Sequence, residues 1–149
     1  MKLDLPADKK LVHRIVVPIR WGDMDAMAHV NNTIYFRYME IARLDWFFGM
    51  GLPVDPKGEG PVIVNAFCNF IRQLEFPGDV LVRTYVGAMG TTSFDTYHEM
   101  LRTDDPDTVC ANGGATVVWV DFRQQRSVPM TDQTRHLIES AGHPPLLGR

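Results

Sequence analysis

The chain has 149 residues, 45% hydrophobic and 22% charged, a balance that excludes a disordered chain and supplies enough apolar mass for one core. Its net charge is −3 with no Lys/Arg run, which argues against nucleic acid or an anionic membrane surface as the main partner. The start, MKLDLPADKK, lacks the apolar core of a secretory leader and no stretch is long enough to span a bilayer, so a cytoplasmic location is expected.

Residues 1–10 are polar and read as a loose lead-in. Leu11 to Trp21 is rich in β-favouring side chains and predicts a first strand, with Pro18 marking an edge or a bulge. An acidic loop follows (Gly22, Asp23, Met24, Asp25), and Asn32 to Phe48 predicts a long helix. At 3.6 residues per turn Tyr35, Tyr38, Met39, Ala42 and Trp46 share one face, while Ile34, Ile41, Leu44, Phe47 and Phe48 cover most of the rest. A helix apolar on several sides is buried. Asn31, Asn32 and Thr33 suit its N-cap, and Gly49 and Gly51, followed by Pro53, its end. The formal glycosylation sequon Asn31-Asn32-Thr33 reads as that cap.

Leu52 to Gly60 is a connector. Pro61 to Glu75 predicts a long strand, with Val62, Val64, Ala66, Cys68 and Phe70 on one face. A turn at Phe76–Asp79 leads to a strand over Val80–Ala88, and a turn at Gly87–Thr92 to a strand over Ser93–Thr103. Thr108 to Phe122 predicts the last strand, whose Gly113-Gly114 pair suggests a bulge or sharp curvature. Thr131 to Ala141 predicts a short helix stopped by Gly142, and His143 to Arg149 a tail. The order β-α-β-β-β-β-α, with short turns, is an α+β pattern with antiparallel pairing. Cys68 and Cys110 sit in apolar strand patterns and read as buried, reduced thiols.

The helix start carries the chemistry. Its first N–H groups lack intrahelical partners and its dipole is positive there, so it can stabilise a developing oxyanion. Asp25 lies seven residues before Asn32, close enough for the loop to fold back over that end. By spacing alone, Asp23 and Asp25 read first as turn caps. The histidines and cysteines show no zinc spacing, Ser93, Ser127 and Ser140 lie in no G-x-S-x-G elbow, and no dinucleotide fingerprint or phosphate loop is present.

The string GDMDAMAHVNNTIYFRYMEIAR resembles the signature of the hydroxybenzoyl-CoA thioesterase-like branch of the hot-dog fold. The resemblance rests on Asp23, Asp25, His29, Val30, Asn31, Asn32, Tyr35, Tyr38, Glu40, Ala42 and Arg43, and extends more weakly over residues 12–125. It implies a single hot-dog domain over 1–149 with its core at about 11–125, a curved antiparallel sheet around one central helix. It implies an acyl-CoA thioesterase working at a dimer interface, with Asp25 catalytic and the backbone N–H near Asn32 polarising the thioester carbonyl. A thiol leaves readily, its pKa being about 8.5, so one carboxylate and one oxyanion site suffice. Asp25 attacks the carbonyl or activates a water. His29 is a candidate to orient substrate or to tie the loop to the helix. Asn31 and Tyr35 complete the expected substrate contacts, and Tyr38, Met39, Phe67 and Phe70 are further candidates for an acyl pocket. Thr92 and Ser93, after Gly90, are expected near CoA, and Arg72, Arg83, Arg123 or Arg126 near its phosphates. No cofactor or metal is expected. The partners expected are the acyl-CoA substrate and further copies in a homodimer or homotetramer, because a curved sheet with free edges needs a partner. The alternatives are a non-catalytic acyl-CoA-binding module and an enoyl-thioester dehydratase of the same fold.

Overall fold

The computed structural model describes residues 1–140. The elements are β1 (Lys10–Pro18), α1 (Asn32–Gly49), β2 (Glu59–Phe70), β3 (Asp79–Met89), β4 (Ser93–Arg102), β5 (Asp105–Asp121), β6 (Arg126–Ser127) and α2 (Asp132–Glu139). They form one six-stranded antiparallel sheet in the order β1-β3-β4-β5-β2, with β6 paired to β5. The edges are therefore β1, as Pro18 suggested, and β2.

Helix α1 lies across one face of this sheet. Tyr35, Tyr38, Met39, Ala42 and Trp46 are all buried, as the wheel predicted. Around the first half of α1, Tyr35, Tyr38, Met39 and Ala42 join Ile15, Val17, Leu74, Val80, Val82, Met100 and Ala111 in one core cluster. Around its second half Trp46 and Phe47 pack with Phe94, Val117, Trp119 and Ile138 of α2 in another. Each fully buried aliphatic or aromatic side chain contributes about 1.5–3 kcal/mol.

The ends of α1 follow from its caps. The Asn31 side chain accepts from the Thr33 N–H. At the other end Gly51, at φ +71, donates to the Phe48 carbonyl while Leu52 N–H reaches Phe47 O, closing a Schellman motif. Gly51 is thus the stop, and Gly49 is still helical. In α2, Thr131 accepts from the Thr134 N–H. The expected stop at Gly142 and the tail after it lie outside the described residues.

Several expectations are corrected. Residues 1–10 are not a loose lead-in: the Asn69 amide donates to Leu3 O at 2.6 Å, its Oδ1 accepts from Leu3 N–H at 3.3 Å, and Lys9 Nζ sits 4.9 Å from the centre of the Tyr85 ring. β1 ends at Pro18, and Trp21, 77% exposed, begins a 3-10 turn over Trp21–Asp23. β2 ends at Phe70 rather than Glu75, and a register shift between Ile63 and Asn65 breaks its two-residue alternation. Gly113 and Gly114 stay in register with Cys68 and Phe67. Their role is close approach: a Cβ on Gly113 would lie 2.3 Å from Phe67 O and 3.0 Å from Met39 Sδ, so the glycine lets α1 settle on the sheet.

The helix is also less enclosed than its sequence suggests. Leu44 and Phe48 are 44% and 61% exposed, while the charged Arg43 and Asp45 are buried. Asp45 is turned towards β1, where its Oδ2 lies 2.7 Å from His13 Nε2. Both cysteines are free thiols, Cys110 buried and Cys68 half-buried, and burial pushes Cys68 up to about 12.

Candidate active site

The loop before α1 is built by its own backbone. Asp23 N–H donates to Arg20 O, closing the 3-10 turn, and Met24 bridges to Val30. Asp25 N–H donates to His29 O at 2.9 Å, and Ala28 N–H returns to Asp25 O at 3.0 Å. Ala28 takes φ 61 to complete this tight turn. Several hydrogen bonds fix the loop to the rest of the fold. Tyr38 donates its hydroxyl to Asp23 Oδ2 at 2.8 Å, Asn31 N–H donates to Asp23 O, and Val30 N–H donates to Leu74 O at 2.8 Å.

Segment 71–75 explains that last contact. Leu74 is its deeply buried residue, at 0% exposure, and its burial draws the chain out of the sheet towards the start of α1. Leu74 N–H then donates to Tyr35 Oη at 3.1 Å. Ile71 and Arg72 N–H groups share Cys110 O as acceptor.

Asp25 is half-buried, and both of its carboxylate oxygens are held. Oδ1 accepts from Met27 N–H at 2.9 Å, and Oδ2 from the Asn31 side-chain amide at 3.3 Å. A carboxylate offers about four lone-pair positions, so each oxygen keeps capacity for a substrate or water. Asn31 therefore has two roles at once, capping α1 and gripping Asp25. Asp23, the other carboxylate, is occupied by Tyr38 and by Arg20 N–H, which makes it the structural member of the pair.

The first N–H groups of α1 divide unequally. Thr33 N–H goes to Asn31 Oδ1 and Ile34 N–H to Asn31 O. Among the described residues, Asn32 N–H donates to no acceptor. It is thus the donor left over at the positive end of the helix.

Tyr35 stands one turn further in and is buried against Phe70, edge to face, with ring centres 5.0 Å apart. Burial raises its phenol above the usual range, Leu74 N–H lowers it, and the Cys110 and Cys68 thiols and the Asp25 carboxylate each raise it further. Tyr38 is raised by burial and by its hydrogen bond to Asp23. Tyr35, Phe70, Ile71, Arg72, Gln73 and Glu75 line an open groove of about 600 Å³ beside this helix end. His29 Nε2 lies 3.3 Å from Glu75 Oε1, which ties the Asp25 turn to the rim of the groove. Met27 lies inside the motif, but nothing in the sequence marks Leu74 or Glu75, which lie far beyond it in the chain.

Other expected site residues lie elsewhere. Tyr38 and Met39 belong to the core, and Phe67 lines a separate cavity with Leu3 and Tyr97. Thr92 and Ser93 lie at the far end of α1: Trp119 N–H donates to Thr92 O and Ser93 pairs with Val118, beside the second core cluster. The chain by itself does not bring them to Asp25. Among the described residues no group of three or more His, Cys, Asp or Glu side chains is placed to hold a metal ion, and no helix is long and apolar enough to cross a membrane.

A long helix packed on an antiparallel sheet in this order is the architecture of the hot-dog fold. Residues 19–138 match the thioesterase-like superfamily, and the chain belongs to that family. A candidate thioesterase from Pseudomonas aeruginosa superposes with a TM-score of 0.81 at 37% identity, over 87% of this chain and 99% of that one. A candidate acyl-CoA thioesterase from Xanthomonas campestris is 32% identical over 81% of this chain and 100% of its own, with a TM-score of 0.71. A gentisyl-coenzyme A thioesterase is 26% identical over 85% and 99%, with a TM-score of 0.75.

Proposed function

We propose that this protein is an acyl-CoA thioesterase that hydrolyses a small aromatic or fatty acyl-CoA to the free acid and CoA in the cytoplasm. The observation that carries this reading is the Asp25 carboxylate, gripped by Met27 N–H and the Asn31 amide at the end of α1 that carries the uncommitted Asn32 N–H. The substrate carbonyl oxygen takes the Asn32 N–H, where helix dipole and donor stabilise the negative charge of the tetrahedral intermediate. Asp25 either attacks the thioester carbon, giving a mixed anhydride that water then opens, or takes the proton of an attacking water. In both routes CoA leaves as thiolate. His29, held to Glu75, and Tyr35 border the acyl group.

The working unit in this reading is a homodimer or homotetramer. Edge strand β2 leaves Ile63 and Val64 42% and 57% exposed, and a second copy alongside covers them. Thr92 and Ser93 then reach CoA bound at the Asp25 site of the other copy.

The test is thiol release from a panel of acyl-CoAs by wild type and Asp25→Asn. Release from one acyl class, lost by about 100-fold or more in the variant, supports the assignment. Full activity in Asp25→Asn removes Asp25 from the chemistry, and tight CoA-ester binding without turnover by wild type favours a binding module.

A further inference from the structure

The groove at the start of α1 mixes apolar and charged lining. Tyr35, Phe70 and Ile71 contribute apolar surface to it, and Arg72 and Glu75 contribute charge. Among the described residues the Arg72 side chain makes no hydrogen bond or ion pair, its backbone N–H alone being engaged, on Cys110 O. Glu75, the groove's acid, already faces His29. The other arginines considered for CoA are committed elsewhere. Arg83 pairs with Glu99 at 3.8 Å, Arg123 Nε donates to Lys57 O at 2.5 Å, and Arg126 Nε donates to Gln124. Arg123 moreover lies just before β6 and Arg126 within it, paired to the end of β5 that lies beside the second core cluster, away from Asp25.

We infer that Arg72 binds an anionic oxygen group of the substrate and so holds the substrate in this groove. This inference rests on the thioesterase reading. The guanidinium is planar, permanently charged and able to give two parallel N–H bonds to a phosphate or carboxylate. Segment 71–75 is anchored at Leu74 and by the two N–H bonds to Cys110 O, so the base of the Arg72 side chain is fixed while its head is free. The same chemistry has two sources, a phosphate of CoA or a carboxylate on the acyl group.

The experiment compares wild type, Arg72→Ala and Arg72→Lys on acyl-CoAs with and without an acyl carboxylate, and on the same acyl groups as N-acetylcysteamine thioesters, which carry no phosphate. Arg72 is exposed, and circular dichroism should show the variants folded. The expected result is a KM raised about tenfold in Arg72→Ala, with kcat nearly unchanged and partial recovery in Arg72→Lys. If the rise appears with CoA esters and vanishes with N-acetylcysteamine thioesters, the group is a CoA phosphate. If it persists there for carboxylate-bearing acyl groups only, the group is the acyl carboxylate. An unchanged KM in both series overturns the inference. Should wild type release no thiol from any CoA ester, the thioesterase reading fails separately. Titration calorimetry with CoA and with a carboxylate-bearing acyl-CoA then decides: weaker binding of either by Arg72→Ala upholds the role of Arg72, and unchanged affinity for both overturns it.

Discussion

The sharpest physical prediction concerns His98, which takes no part in the site. It lies on β4 at 0% exposure, with Nδ1 3.1 Å from Thr84 Oγ1 of β3 and Nε2 without a hydrogen-bond partner. Burial first, and the Arg43 guanidinium of α1 second, push its pKa down to about 3 from an ordinary 6.5. The folded chain therefore holds a neutral imidazole where the unfolded chain takes a proton. The contribution is fully present above pH 6.5 and is lost as pH falls from 6.5 to 3. Over that whole window it amounts to about 5 kcal/mol at most, and between pH 7 and pH 5 to about 2 kcal/mol. Urea unfolding at both pH values, at one protein concentration, measures the loss in wild type and in His98→Leu. Other groups titrate alike in both proteins, so the wild type should lose about 2 kcal/mol more than the variant. Equal losses refute the reasoning. If His98→Leu does not fold, the imidazole resonance of wild-type His98 serves instead, and a titration near pH 6.5 refutes it as directly.

Four further outcomes are expected. Gly113→Ala forces a Cβ against Phe67 O and Met39 Sδ, and urea midpoints should show a loss of about 3 kcal/mol, the upper range for overpacking. Asn31→Ala removes the α1 cap and the amide on Asp25, so thermal melting should fall by about 2–4 °C together with kcat. Asn31→Asp keeps an acceptor for Thr33 N–H but sets a like charge beside Asp25, so melting should hold while kcat falls. Val64→Lys puts a charge on the β2 edge, and under the proposed assembly sedimentation should show smaller species with activity lost in parallel; an unchanged sedimentation rate refutes pairing of copies through β2.

What the sequence made legible follows from local rules. Alternation located β3 and β4 because each has one face against α1, and the helix caps were readable because Asn31 and Thr131 each satisfy an N–H two or three residues on. The expectation that the helix start would offer a free donor has its counterpart in Asn32 N–H. What was not legible came from contacts distant in sequence. The bulge in β2 follows from its pairing with β5, nothing in Arg72-Gln73-Leu74-Glu75 announces that Leu74 leaves the sheet to support Val30 and Tyr35, and the N-terminal segment is held by Asn69, 66 residues away. The burial of Arg43 and Asp45 was hidden because a charged residue on a helix is ordinarily solvated.

The uneven burial of α1 follows from two separate demands on one helix. Its inner face is satisfied by its own sheet, and the wheel identified that face correctly. Its outer side carries Leu44 and Phe48, which with Ile41, Val16 and Pro18 border a groove of about 450 Å³ beside the β1 edge. Within one chain nothing there requires apolar residues, since charged side chains would be accommodated at no cost in packing. Phe48 follows Phe47 directly, yet Phe47 is 5% exposed and Phe48 61%, so the same residue type serves the core at one position and a solvent-facing surface at the next. Hydropathy alone cannot separate those uses, because burial against one's own sheet and burial against another surface select the same side chains. The exposed apolar positions on α1 and β2 therefore mark where the protomer's own packing ends, and the Val64→Lys sedimentation experiment tests the β2 side of that boundary directly.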